Sequence, residues 1–308
     1  MDPLQDVLSV VGATSYLSSG MVAGGDWAVR FEPPLGVKFN SVQRGRCRLQ
    51  VEGLPAPIDL APGDCFLLTQ PRAFVLASDL NRPALAAAPI FAAAGPAPAR
   101  AGHGEDVLLL GGGFLFNERA RSVLLQNLPP VVHVPGGLPE AGTVHWALAK
   151  IGAELAGGDF GAGPIAEHLA MVMLIEVLRL HLRHRPAEVH GWLAGLSDPL
   201  VAGALRALHE RPGYAWTVAE LAAVSRVSRS SLAARFKQVV GQGPLEYLTA
   251  WRIELASQRL RQGDQTLDRI AREVGYSSES ALSTAFKRVV GVSPREYRRG
   301  RRDHTVAS

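Results

Sequence analysis

Cysteine is scarce in this chain. Cys47 and Cys65 are the only two in 308 residues, so there is no disulfide framework and no metal-binding spacing. Long apolar runs are missing too: no stretch of eighteen uninterrupted apolar residues occurs, and no membrane-spanning helix is expected. The opening Met1-Asp-Pro-Leu-Gln-Asp6 carries acids where a secretory leader carries Lys or Arg. These shortages make a reduced, cytoplasmic setting the expectation. Catalytic signatures are equally thin. Gly111-Gly-Gly113 lacks the Gly-Lys-Ser/Thr of a phosphate loop and reads as a strand end or bulge. No nucleophile elbow occurs. His181 and His184 stand i,i+3 on a helical stretch, where complementing a helix C-terminus is the commoner role than binding metal. No cofactor, no metal and no enzymatic activity are expected.

What is present is length enough for two domains, with 47% hydrophobic and 19% charged residues. The net charge of +4 hides an asymmetry. Residues 196–308 hold 18 Lys+Arg against 11 Asp+Glu, whereas residues 1–195 hold 14 against 17. One part is built to meet a polyanion and the other is not.

Short, nearly alternating apolar runs separated by Pro/Gly turns fill residues 27–78, namely Trp27 to Phe31, Val37 to Val42, Cys47 to Val51 and Cys65 to Leu68. After an Ala/Pro-rich stretch (83–98), further strand-like runs follow at 106–110 and 131–134. Many short strands at this spacing imply a sandwich or small barrel. From Gly142 the period becomes helical. Val144, Leu148, Ile151 and Leu155 share one face, and Pro164 is placed to open a second helix to about His184. That second helix is apolar over much of its circumference, which suits either intradomain core or a dimer contact. Residues 185–197 read as a linker, and everything beyond them as helical.

Two segments after the linker are copies of each other. Ser228-Arg-Ser-Ser-Leu-Ala-Ala-Arg-Phe-Lys-Gln-Val-Val-Gly-Gln-Gly-Pro-Leu-Glu-Tyr247 matches Ser278-Glu-Ser-Ala-Leu-Ser-Thr-Ala-Phe-Lys-Arg-Val-Val-Gly-Val-Ser-Pro-Arg-Glu-Tyr297 at an offset of 50. Upstream, Leu221-Ala222 pairs with Ile270-Ala271 at an offset of 49, so one residue is inserted near the second turn. An internal duplication explains this. Each copy has helix-turn-helix chemistry. Thr217-Val-Ala-Glu220 is a capping box, Gly275 supplies positive φ at a turn, and Ser277 is placed to cap the next helix. Leu232 with Phe236, and Leu282 with Phe286, form i,i+4 apolar pairs. Gly241 and Gly291 end those helices, and Ser293-Pro-Arg-Glu296 opens another. Between the copies, Pro244 to about Arg261 reads as one stiff helix. Where the second copy has Gly275, the first has Arg226, so a strained turn is expected there.

The paired motifs resemble the AraC/XylS family of bacterial regulators, above all the run from Ile270 to Arg298. The resemblance implies that two recognition helices enter successive major grooves of double-stranded DNA, and that an N-terminal domain handles effector binding and dimerisation. It places Arg229, Ser230, Ser231, Ala233, Ala234 and Arg235 on the first reading helix, and Ser278, Glu279, Ser280, Ser283 and Thr284 on the second. Lys237, Lys287 and Arg288, with Arg226, are placed to reach phosphates.

Residues 37–77 resemble a cupin-type barrel. The metal-binding His-x-His of cupin enzymes falls here on Lys38 and Asn40, and the later His on Phe74, which argues against metal chemistry. Trp27, Lys38 and Asn40 are the candidate effector contacts.

The expected fold is therefore α+β. A cupin-like β-barrel sensor (1–140) precedes a helical dimerisation or packing segment (141–185), a linker (186–197), an all-α tandem helix-turn-helix domain joined by a long helix (198–302), and a disordered tail (303–308). The expected function is a homodimeric transcription regulator, an activator or a repressor, with a small-molecule effector and RNA polymerase as further partners. Two alternatives are a regulator set by abundance or a protein partner, and a cupin enzyme with a helical docking domain.

Overall fold

The computed structural model describes residues 3, 6–7, 14–18, 20–95, 97–116, 128–184, 191–263 and 265–305. The chain divides into two units, one comprising 13–189 and the other 1–12 with 190–308.

The first unit is two sheets with helices. One sheet runs in the order β10-β2-β11-β4-β7-β12, with β1 also pairing β11. Its strands are β1 (Thr14–Leu17), β2 (Met21–Gly24), β4 (Val37–Arg44), β7 (Cys65–Leu68), β10 (Ala99–Gly102), β11 (Val107–Leu115) and β12 (Val131–Val134). The other runs β6-β5-β8-β3-β9, from β3 (Ala28–Phe31), β5 (Cys47–Val51), β6 (Ile58–Leu60), β8 (Phe74–Ala77) and β9 (Leu85–Ala86). Both sheets contribute to one core, in which Met21, Val42, Phe66 and Leu109 of the first meet Val29, Leu49, Phe74 and Leu76 of the second. Among the described residues the sheets form a two-layer sandwich, where a closed barrel was expected. Alternation along a single strand reads alike in both, because period-2 patterning records which face is buried and not how edges meet.

The Ala/Pro-rich stretch, for which no element was expected, holds a helix, α1 (Ala87–Ala94). The triple glycine lies inside β11, paired to Lys38, Phe39 and Asn40 of β4, while the register shift sits earlier, between Leu108 and Leu109. A side chain there has no room: a Cβ on Gly112 would lie 2.6 Å from the Phe39 ring, and one on Gly113 2.5 Å from the Tyr16 hydroxyl. Trp27, an expected effector contact, is packed in the core at 3% exposure.

Helices α2 (Gly142–Gly157) and α3 (Ala162–His184) pack on each other, and α3 also on β1. Val144, Leu148 and Ile151 are buried, as are Ala166, Ala170, Met173, Leu174, Val177 and Leu178. Most of the apolar circumference of α3 is thus used inside the unit. The helix begins before Pro164, at Ala162. No described helix is long and apolar enough to cross a membrane.

The second unit is helical. It comprises α4 (Trp192–Gly195), α5 (Ala202–Glu210), α6 (Val218–Val224), α7 (Arg229–Val240), α8 (Pro244–Gln262), α9 (Leu267–Val274), α10 (Glu279–Val290) and α11 (Pro294–Thr305). The expected linker differs from what is seen. Residues 185–190 lie outside the described residues, but α4 is structured and buries Trp192 and Leu193, since large apolar side chains stay in solvent only at a cost. The helix α11 runs through the beginning of the expected disordered tail, and 306–308 lie outside the described residues. The N-terminal segment, expected to begin the barrel, belongs to this unit. Val7 is 1% exposed, and Asp6 Oδ2 stands 3.7 Å from Nδ1 of buried His209.

Candidate DNA interface

Two helix-turn-helix units flank α8, namely α6–α7 and α9–α10. Each is assembled by the same local chemistry. Thr217 accepts from the Glu220 amide while the Glu220 carboxylate takes the Thr217 amide, closing the capping box that starts α6. Thr266 caps α9 through the Arg269 amide. Ser228 accepts from Ser231 N at 3.1 Å and Ser278 from Ala281 N at 3.2 Å, so both reading helices start on a serine cap. In the second copy that cap is Ser278 rather than Ser277, which places the inserted residue in the turn itself.

The turns differ as the duplication implies. Gly275 adopts φ +91 and Arg226 adopts φ 56, the only positive-φ residue other than glycine among the described residues. Each turn closes by a bond to the carbonyl five residues earlier: Val227 N donates to Ala222 O at 3.0 Å, and Tyr276 N to Ala271 O at 2.8 Å. A left-handed arginine costs on the order of 1 kcal/mol, which the first turn carries and the second does not.

Packing holds each reading helix from behind. Leu232 and Phe236 of α7 are fully buried, with Phe236 edge-on to Tyr247 of α8 at 5.9 Å. In the second copy, Leu282 and Phe286 are fully buried, and Phe286 meets Tyr297 of α11 edge-on at 5.4 Å. The C-terminal half of α8 (Ile253, Ala256, Leu260) packs into the second unit's core with Ile270, Ala271 and Val274. With 19 residues, α8 is about 28 Å long at 1.5 Å per residue. It is a rigid spacer of nearly one DNA turn, ~34 Å.

The opposite faces are left to solvent. Arg226, Arg229, Ser230, Ser231, Ala234 and Lys237 are exposed on the first copy, and Ser278, Ser280, Thr284, Lys287 and Arg288 on the second. Ala233 and Ser283 are half-buried. Among the described residues no carboxylate pairs with Arg226, Arg229, Lys237, Lys287 or Arg288. Some cations elsewhere in the unit are neutralised locally, as in Arg269–Glu273 (2.9 Å) and Arg272–Asp268 (2.8 Å). Some of the expected hydroxyls are already engaged: Ser228 bonds Ser230 and Ser231, and Thr284 donates to Ser280 O.

Two expected base readers are held by the protein. Arg235 donates to buried Asp198 at 2.7 and 2.8 Å and to Gln238 at 3.0 Å. Asp198 simultaneously accepts from Leu200 N and Val201 N, so one carboxylate caps the approach to α5 and clamps α7. Glu279 is half-buried and receives Arg295 at 3.2 Å. Neither partner was found from sequence. Asp198 lies 37 residues from Arg235, with no local pattern connecting them, though an Asp four residues before a helical run is a visible turn signal.

Two helix-turn-helix units flanking one long helix, each with a buried aromatic anchor and an outward face of cations without acidic partners among the described residues, define a double-stranded-DNA-binding transcription regulator. The comparisons agree in both halves. The family described as Cupin matches residues 2–183, and that described as Helix-turn-helix domain matches residues 221–300. An AraC-like transcription regulator of Streptomyces lividans is 58% identical over 279 residues, covering 91% of this chain and 92% of that one. The regulator AlkR of Acinetobacter baylyi is 33% identical over 192 residues, covering 58% and 62% respectively. Among solved structures, the DNA-binding domain of AdpA in complex with a target DNA is similar at 33% identity, with 35% of this chain and 96% of that one covered and a TM-score of 0.33. The chain belongs to the AraC-like transcription regulators, with a cupin-type domain preceding the DNA-binding one.

Proposed function

We propose that this regulator reads a bipartite operator with α7 and α10 in successive major grooves, and that its sandwich unit carries a small-molecule effector site and the dimer contact. The observation that carries the first part is the matched pair of exposed, cationic helix faces on either side of a 28 Å spacer. On this reading Arg229, Ser280 and Thr284 face base edges, and Arg226, Lys237, Lys287 and Arg288 face phosphates. Arg235 and Glu279 act mainly by fixing their helices. Dimerisation through α2 and α3 is supported by exposed Trp146 (58%), Leu155 (40%) and Val172 (39%), which stand on helices otherwise buried inward. The protein acts in the cytoplasm, without catalysis, and RNA polymerase is the partner through which a bound activator works.

The test is genome-wide mapping of bound sites for the full chain, followed by footprinting of one site. Two protected patches about one helical turn apart are expected. Equal affinity for that site and for random duplex at 150 mM salt refutes the proposal. A regulator set only by abundance predicts operator binding that no metabolite alters.

A further inference from the structure

One end of the sandwich opens into a cleft of about 290 Å³. Its walls include Phe31 and Phe74, stacked face to face with centroids 4.6 Å apart, and Phe91 of α1, edge-on to Phe31 at 6.0 Å. Beneath it lies a recess of about 10 Å³, sharing Ser18, Phe31, Lys38 and Phe91 with the cleft and reaching Asn40. That inner volume is no larger than a single water needs.

Two donors converge on this apolar space. Lys38 and Asn40 are alternate residues of β4, so they project to the same face. That is the face of Val42, which belongs to the core between the sheets. Asn40 is 6% exposed, and its Nδ2 is fully buried without a hydrogen-bond partner. An unmade bond of this kind is destabilising, and a folded chain seldom carries one without reason. The Lys38 ammonium has no carboxylate partner among the described residues. The Tyr16 ring lies 5.9 Å from it, and burial pushes its pKa down to about 8. The cleft's own carboxylate, Glu32, is exposed and engaged with Arg30 at 3.5 Å. Gly111 keeps the recess open, because a Cβ there would lie 2.7 Å from Asn40 Oδ1 and 3.5 Å from Lys38 Nζ.

We infer that the effector is a small organic carboxylate with a flat apolar body, its two oxygens taken by Lys38 Nζ and Asn40 Nδ2 and its body held among Phe31, Phe74 and Phe91. This rests on the effector reading above and narrows it to a chemical class. A carboxylate satisfies the amide donor and neutralises the ammonium together, and a neutral or cationic ligand does only part or none of this. The volume, at the lower end for ligand pockets, fits a one-ring compound.

The test uses the full chain with benzoate, cyclohexanecarboxylate and n-hexanoate as probes, and benzamide as the uncharged control, read by calorimetry and thermal shift. The carboxylates are expected to bind at least tenfold tighter than benzamide. Lys38→Met should remove that preference, with the melting temperature of the unliganded variant reporting that it is folded. Asn40→Ala should weaken carboxylate binding without inverting the order, and Gly111→Ala should abolish it. Should Lys38→Met prove poorly folded, the same order across probes on the parent protein decides. The inference is overturned if no carboxylate binds, if benzamide binds as well as benzoate, or if Lys38→Met leaves benzoate affinity intact. Tight benzamide binding that Phe31→Ala destroys would overturn the carboxylate class while keeping an effector site. Operator affinity, measured in parallel, reports on DNA recognition separately.

Discussion

Arg235 and Lys237 stand two residues apart on one reading helix, and the structure gives them opposite roles. Arg235 spends its guanidinium on Asp198, which is 6% exposed at the side chain, whereas Lys237 is exposed and without an acidic partner among the described residues. Arg235→Ala should therefore cost stability and leave the electrostatics of DNA binding alone. Losing a charge-assisted contact to a buried carboxylate costs about 3–5 kcal/mol when both groups are buried. Here the arginine side chain is 41% exposed, and Asp198 keeps two backbone amides. The expected loss drops to about 2 kcal/mol after that discount. At about 4 °C per kcal/mol for a unit of this size, the melting temperature falls by about 8 °C. Lys237→Ala should do the reverse. Each phosphate contact contributes about −0.9 to the slope of log K against log salt, so the slope flattens by about 0.9. Between 50 and 200 mM salt the parent then loses about 3.5-fold more affinity than the variant. Fluorescence anisotropy on a labelled operator at four salt concentrations measures the slope, and calorimetry measures the melt. If Arg235→Ala flattened the slope by 0.9 and left the melt unchanged, the clamp described for Asp198 would be wrong.

Other expectations follow from single observations. Arg226→Gly should melt no lower than the parent because it relieves the φ of 56, while Arg226→Val should lose about 1 kcal/mol or more. Phe286→Ala removes the buried anchor of the second reading helix, costing about 3–5 kcal/mol and operator binding together, as seen by urea unfolding and anisotropy. His209 is buried against Tyr247 and Trp251, with Asp6 also facing it, and burial lowers its pKa to about 4. Below an unfolded value near 6.5 the unfolded chain binds the extra proton. Stability is thus full above pH 6.5 and falls by about 1.4 kcal/mol per unit toward pH 4. Urea unfolding at pH 7.5, 6 and 5 should show this fall in the parent and a shallower one in His209→Gln; equal slopes would dismiss it.

The duplicated unit was readable because its signals are local. A cap, a positive-φ turn and an i,i+4 apolar pair all fall within a few residues, and Arg226 standing where the other copy has glycine announced its own strained backbone. Ser277 and Ser278 were harder to separate, since either hydroxyl can cap and only the helix start decides. The sandwich was half-legible. Its strands follow from alternation, but whether the sheets close depends on edge pairings such as β10 on β2 in parallel, which no single strand encodes. Lys38 and Asn40 stand where the resemblance puts a cupin enzyme's metal-binding histidines, and both line the recess, whereas Trp27 belongs to the core. The partners of Arg235 and Glu279 come from residues distant in sequence, so the pattern along one helix presented them as free.

The burial of Val7 and the closeness of Asp6 to His209 bear on how the chain is made. About 200 residues separate Asp6 from His209, and at roughly 5–20 residues per second a ribosome needs about 10–40 s to synthesise them. Throughout that interval the sandwich residues emerge and can fold, while the acid and the valine ahead of them wait for a surface that does not yet exist. The helical unit is thus completed by a segment that predates it, and a chain released before the residues around His209 would leave that segment with nothing to cover it.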